Sequence, residues 1–254
     1  MPLVKAQQVK HMTDCNWALF LDVDGTLLDI AATPTTVRVP RGLTRALNNV
    51  AASLDGALAL ISGRKIEDLD QLFCPLHLPA AGLHGAEIRR REGGPTENLD
   101  CVPIQPALRE AINDLVEAHR GVQLEDKGHA LALHYRSRPA AGPLLTHALA
   151  QLIEHHGPGL SLLSGKMVLE LRDIRHSKAS AVSAFMAVQP FAGRRPIFLG
   201  DDRTDEDGFT AVERGGGLAL PVGRYNEGRE PAFANPAEVR DWLDELPERL
   251  RAGF

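Results

Sequence analysis

The stretch Trp17-Ala18-Leu19-Phe20-Leu21-Asp22-Val23-Asp24-Gly25-Thr26 decides the fold. A short apolar run that ends in acids and a glycine reads as a buried strand passing into a turn. Side chains two apart point the same way only while a strand continues, and Gly25 allows the chain to turn where it ends. One carboxylate is then free to attack while the other manages a proton. A carboxylate nucleophile forms an acyl-phosphate and splits one hard hydrolysis into two easier steps, and a neighbouring acid contributes about 10²–10⁴-fold.

Three more runs of the same kind follow at Ala57 to Ile61, Leu78 to Leu83 and Pro196 to Leu199. Helix-like stretches lie between them, at Arg41 to Leu54 and Ile66 to Phe73, which gives the β-then-α rhythm of a doubly wound, Rossmann-like parallel sheet. Ligands of such sheets sit beyond the carboxyl ends of the strands. Asp22, Asp24, Ser62, His84, Asp201 and Asp202 directly follow these runs and are expected to share one rim.

The middle of the chain has another order. A helix over Ala107 to His119 precedes β-like runs at Val122 to Glu125 and Ala130 to Tyr135, and the order repeats with a helix at Pro143 to His156 and runs at Leu160 to Leu163 and Met167 to Leu171. Helix-strand-strand twice predicts an antiparallel sheet with both helices on one face. The expected organisation is α/β: a core of 1–102 and 173–254 with an inserted α+β cap at 103–172.

Gly200-Asp201-Asp202-Arg203-Thr204-Asp205-Glu206-Asp207 is acidic enough to need a cation. Mg²⁺ suits it, because that ion takes oxygen ligands and is often held by one or two carboxylates plus substrate phosphate. Ile61-Ser62-Gly63-Arg64 stands where a strand passes into a helix, so the Ser62 hydroxyl and the first free N–H groups of that helix are candidate phosphate ligands. Lys178, ahead of a helix-like stretch from Ala179 to Val188, is a candidate to neutralise a transferred phosphoryl group.

Bulk composition narrows the field. The chain has 254 residues, 44% of them hydrophobic, enough to bury a sizeable core. A net charge of −5 gives no basic excess for nucleic acid or an anionic membrane. Cys15, Cys74 and Cys101 are odd in number and lie far apart, which argues for buried, reduced thiols over disulfides or a zinc site. The N-terminal residues lack an apolar signal region and no apolar run approaches the ~20 residues of a spanning helix, so a cytoplasmic protein is expected. The C-terminal Trp242, Leu243, Leu246 and Leu250 have the spacing of a packing helix.

The combination of DxDGT, an apolar run ending in serine, a later lysine and GDDxTDE resembles the haloacid dehalogenase (HAD) superfamily of phosphotransferases. Further motifs are similar to those of its trehalose-6-phosphate phosphatase family: Gly82-Leu83-His84-Gly85-Ala86-Glu87, Leu124 to Arg136 around Glu125-Asp126-Lys127-Gly128, and Gly165 to Arg172 around Glu170. The resemblance implies Asp22 as nucleophile and Mg²⁺ ligand, Asp24 as acid/base lending its backbone carbonyl to the metal, and Asp201 as acidic metal ligand. Asp202 and Asp205 support the site, and Ser62 and Lys178 hold phosphoryl oxygens. Glu125, Lys127 and Glu170 grip sugar hydroxyls, while Arg64, His84 and His134 assist or brace the cleft. A Glu125–Lys127 salt bridge is the bland alternative for the first pair. Where the family pattern has Lys-Gly, this chain reads Lys178-Ala179, a stiffer turn. The implied substrate is trehalose 6-phosphate, with no nucleic acid or membrane partner and a monomer as the expected state. Another sugar phosphate such as sucrose 6-phosphate, a phosphomutase, and a catalytically silent regulatory subunit stand as alternatives.

Overall fold

The computed structural model describes residues 16–30, 36–223 and 229–252. In chain order the elements are β1 (Trp17–Leu21), α1 (Leu43–Ser53), β2 (Leu58–Ile61), α2 (Ile66–Leu72), β3 (Ala80–Gly82), β4 (Glu87–Arg89) and β5 (Glu97–Asn98). Then come α3 (Pro106–Glu117), β6 (Gln123–Asp126), β7 (Leu131–His134), α4 (Gly142–His156), β8 (Leu160–Gly165) and β9 (Val168–Asp173). The chain finishes with α5 (Lys178–Met186), β10 (Arg195–Gly200), α6 (Glu206–Arg214), β11 (Leu218–Pro221) and α7 (Pro236–Ala252).

Two compact units result: Leu99–His176 is one, and the flanking segments up to Asn98 and from Ser177 form the other. The larger unit holds a sheet of order β11-β10-β1-β2-β3-β4-β5. Its first five strands are parallel, and β4 and β5 add an antiparallel edge. The expected doubly wound α/β architecture is therefore present. β1 lies between β10 and β2, with every residue buried, as central parallel strands require. Strand order departs in opposite directions on its two sides, which makes the carboxyl end of β1 the switch point where ligands bind such sheets. Two features escaped the sequence reading: the β4–β5 edge and β11. The β4 and β5 segments, Glu87–Arg89 and Glu97–Asn98, are largely polar and have no apolar run to read, while the apolar Leu218–Pro221 of β11 was passed over.

Helix α1 buries Leu43, Ala46, Leu47, Val50 and Ala51, one stripe at helical spacing. Helix α7 packs against it with Val239, Leu243, Leu246 and Leu250 buried, so the C-terminal stretch is a packing helix. Behind β1, Phe20 meets Phe185 of α5 with ring centroids 5.9 Å apart, and Phe185 meets Phe191 at 4.9 Å. These contacts anchor α5 so that its first residue reaches the end of β1.

The smaller unit is an antiparallel sheet of order β6-β7-β9-β8. Leu131, Leu133, Leu169 and Leu171 share one face and pack with Leu108 and Ile112 of α3 and with Leu145 and Leu149 of α4. Both helices thus cover the same face. The unit runs from 99 rather than 103 and to 176 rather than 172, because Asp173 accepts a 2.7 Å hydrogen bond from the Val102 N–H and ties the two segments together. The cysteines correct one expectation: Cys74 is exposed in the turn after α2, Cys101 is half-buried, and Cys15 lies outside the described residues. Among the described residues no helix is long and apolar enough to cross a membrane.

Candidate active site

Asp22 stands one residue past β1, and its N–H donates to Leu199 O of β10 at 2.9 Å, which fixes the backbone at the switch point. Its side chain is buried, 6% exposed, with Lys178 Nζ 2.7 Å from Oδ1 and Thr26 Oγ1 donating to Oδ2 at 3.1 Å. Burial pushes the Asp22 carboxyl up to about 7; Lys178 pulls against that shift and Asp205 adds to it. Added positive charge beside Asp22 would therefore favour its nucleophilic, ionised form.

Asp22, Asp201 and Asp205 are buried together, and each offers a carboxylate oxygen within 4.8 Å of the others. An all-oxygen, anionic set of this kind fits Mg²⁺. Glycines make the approach possible. Gly25 has φ +90°, and a Cβ there would lie 2.0 Å from Asp201 Oδ2. A Cβ on Gly200 would lie 2.4 Å from Asp205 Cγ.

Asp205 also organises its own loop, for its Oδ2 accepts the N–H groups of Asp201 at 2.9 Å and Asp202 at 3.0 Å. Its Oδ1 accepts from Lys178. Burial raises the Asp205 carboxyl above its ordinary value while Lys178 opposes the shift. Burial alone would lower the pKa of the Lys178 ammonium, but Asp205 and Asp22 together hold it above the usual lysine value. The lysine is the first residue of α5 and wholly enclosed, unlike the surface residue that a lone lysine before a helix usually is. Asp202, by contrast, is half-buried and caps the following turn, its Oδ1 accepting the Arg203 N–H at 2.7 Å.

Asp24 faces elsewhere. Arg64 grips its carboxylate through two bonds, Nε to Oδ2 at 2.6 Å and a terminal nitrogen to Oδ1 at 2.7 Å. Ser62 is buried past β2, with its Oγ accepting the Arg64 N–H at 3.2 Å. Here the sequence expectation needs correction. Helix α2 begins at Ile66, after Ser62-Gly63-Arg64-Lys65, and the Ile66 N–H is taken by Glu87 Oε2 at 2.8 Å. That helix N–H is thus committed to Glu87, and Ser62 stands in the loop ahead of the helix.

His84 braces that loop. Leu83, His84 and Gly85 all have positive φ, at 49°, 55° and 108°. The His84 N–H donates to Ser62 O at 3.0 Å, and its ring lies so close that a Cβ on Gly63 would be 2.7 Å from Nε2. Backbone strain of roughly 1–3 kcal/mol per residue persists only where its surroundings over-determine it.

In the smaller unit the register brings Glu125, Ala132 and Glu170 into one transverse row. Their side chains point away from the leucine face, and so away from both helices. Lys127 Nζ lies 3.0 Å from Glu170 Oε2, and His134 Nε2 lies 2.8 Å from Glu125 Oε2. The hydrogen bond from His134 holds the Glu125 carboxyl below its ordinary value, against burial. Lys127 pairs across the sheet with Glu170, and its charge also acts on Glu125, the partner weighed from sequence. Cross-strand registry, invisible in one dimension, decides the partner.

Sequence reasoning passed over Thr26 as a positioning group for Asp22 and gave Asp205 only a supporting part. Thr26 stands in the DxDGT motif itself, so that signal was available.

The chain matches the family model described as trehalose-phosphatase over residues 20–235. It is 40% identical over 236 residues to the trehalose-6-phosphate phosphatase of Escherichia coli (strain K12), covering 92% of this chain and 88% of that one. It is 44% identical over 208 residues to the "Probable trehalose-phosphate phosphatase" of Sinorhizobium fredii, covering 82% and 78%. Among solved structures, the C-terminal domain of Candida albicans trehalose-6-phosphate phosphatase superposes with a TM-score of 0.81 at 21% identity, over 97% of this chain and 96% of that one. The C-terminal domain of a C. albicans trehalose synthase regulatory protein has the same fold, with a TM-score of 0.64 at 16% identity, over 89% and 92%.

Proposed function

The chain belongs to the trehalose-phosphatase family and is a phosphoric monoester hydrolase, and from that premise we propose that it hydrolyses trehalose 6-phosphate to trehalose and phosphate through an aspartyl-phosphate on Asp22. The observation that carries the proposal is the buried trio Asp22, Asp201 and Asp205 with the Lys178 ammonium on the Asp22 carboxylate. A regulatory protein can share the fold; a silent subunit has no need of a buried, mutually repelling acid trio.

Each group has a part in the reaction. Asp22 attacks phosphorus while Lys178 and Ser62 take phosphoryl oxygens. Asp24 passes its proton to the departing sugar oxygen, then removes one from the water that opens the acyl-phosphate, so that Asp22 and Asp24 are both restored. Arg64 holds both oxygens of the Asp24 carboxylate in the resting chain and has to release one before Asp24 can carry the proton it passes on, and His84 fixes the loop that presents Ser62. A Mg²⁺ ion held by Asp22, the Asp24 backbone carbonyl and Asp201, with Asp205 beside them, would neutralise charge so that two anions can approach.

We assign the smaller unit the role of substrate-selecting cap. The disaccharide of trehalose 6-phosphate carries hydroxyls and no charge beyond the phosphate, so it must be recognised by hydrogen-bonding groups. Glu125, Lys127, Glu170 and His134 supply these on the sheet face that the helices leave uncovered. The decisive experiment is phosphate release from trehalose 6-phosphate, glucose 6-phosphate and sucrose 6-phosphate, each with Mg²⁺ and with EDTA. Metal-dependent preference for trehalose 6-phosphate is expected. Metal-dependent release with another preference discards the sugar assignment, and no release from any ester discards the catalytic one.

A further inference from the structure

A second group of metal-ligating side chains lies apart from the acid trio. Cys101, Asp173 and His176 each offer one ligand atom, and these atoms lie within 4.8 Å of one another. They come from the two segments through which the chain enters and leaves the smaller unit, 99–102 and 173–176. We propose that Cys101, Asp173 and His176 bind one thiophilic divalent cation of the Zn²⁺ class.

The donor types select the ion. One sulfur, one imidazole nitrogen and one carboxylate oxygen suit Zn²⁺, which accepts all three, and exclude Mg²⁺, which demands oxygen. Three protein ligands leave a fourth tetrahedral position for water. The acid trio has the opposite preference, so the two sites would sort their ions by chemistry.

The surroundings resemble those that orient metal ligands. His176 Nε2 lies 2.9 Å from Asp100 O. A carbonyl only accepts, so this nitrogen carries the hydrogen and Nδ1 keeps the lone pair, the arrangement by which a backbone carbonyl fixes a ligating histidine. Asp173 is 2% exposed and held by the Val102 N–H at 2.7 Å and by Arg175 at 2.7 Å. Arg175 opposes a cation, yet it also lies 3.6 Å from the Asp100 carboxylate, which offsets part of its charge.

The proton balance is explicit. The Cys101 thiol now donates to Leu99 O at 3.3 Å. Burial and the neighbouring Asp173 carboxylate favour the protonated thiol, so the ion must displace that proton: Cys–SH plus M²⁺ gives Cys–S–M⁺ plus H⁺. Affinity should therefore rise with pH.

Co²⁺ is the probe, because a sulfur–Co²⁺ bond gives a near-ultraviolet charge-transfer band that no all-oxygen site produces. The full chain, reduced and saturated with Mg²⁺, should develop this band with one equivalent of Co²⁺ and lose it on addition of Zn²⁺. Cys101→Ser should abolish the band with Mg²⁺-dependent turnover intact, and Cys74→Ser should leave the band unchanged. His176→Gln, which keeps a donor for Asp100 O, should weaken Co²⁺ binding at least about tenfold. No band in the wild-type chain, a band that survives Cys101→Ser, or affinity unaltered by His176→Gln would each overturn the site.

Discussion

At the residue scale the proposed chemistry turns on one carboxylate held where water cannot solvate it. With its folded pKa raised to about 7 from an ordinary 3.8, Asp22 binds more protons in the folded than in the unfolded state across that interval. Its contribution to stability is therefore full below the unfolded value and is lost as pH rises towards 7. In EDTA, the thermal midpoint should fall between about pH 4 and pH 7, and Asp22→Asn should flatten that fall. The same variant should lower turnover by more than about a thousandfold, since the amide cannot form the acyl-phosphate. Equal pH slopes for the two proteins would speak against the buried carboxyl, and substantial residual turnover against the nucleophile.

At the element scale, helix α5 places Lys178. Ser177 is its N-cap, with Oγ accepting the Ser180 N–H at 3.1 Å while Ser180 Oγ accepts the Ser177 N–H at 2.9 Å. This reciprocal box explains the departure at Lys178-Ala179. Ala179 lies inside the first helical turn, where alanine is favoured over glycine, so no flexible turn is needed after the lysine. Ser177→Ala should cost about 0.5–2 kcal/mol in denaturant unfolding. It should also depress kcat through Lys178, and Ser177→Thr should restore both. If the alanine variant loses stability without losing turnover, the cap does not position the lysine.

At the scale of the whole molecule, the proposed metal binding would be linked to folding. An ion that binds the folded chain alone adds about 2.7 kcal/mol at a hundred times its Kd. Differential scanning calorimetry with Mg²⁺ should then raise the midpoint by roughly 2–4 °C per kcal/mol. Asp201→Asn should remove most of that rise, because it withdraws one charge from the trio. An undiminished rise would place the ion elsewhere. The net charge of −5 is consistent with the proposed function, which assigns phosphate recognition to Lys178 and Ser62 rather than to a basic surface.

The amino-acid sequence by itself determined the β–α rhythm, the four strands whose ends carry Asp22, Ser62, His84 and Asp201, and the twice-repeated helix-strand-strand unit. Those properties rest on periodicity and on turn residues, which act over a few positions. Pairings between distant segments were decided only in three dimensions. Asp202 and Asp205 look alike in sequence, yet a single turn directs one to cap its own backbone and the other into the buried trio. Arg64 joins Asp24, Lys127 joins Glu170, and Cys101 joins Asp173 and His176, each through strand register or chain crossing that local pattern does not encode. Such pairings depend on side chains meeting within a few ångströms after long stretches of intervening chain, and packing alone settles that.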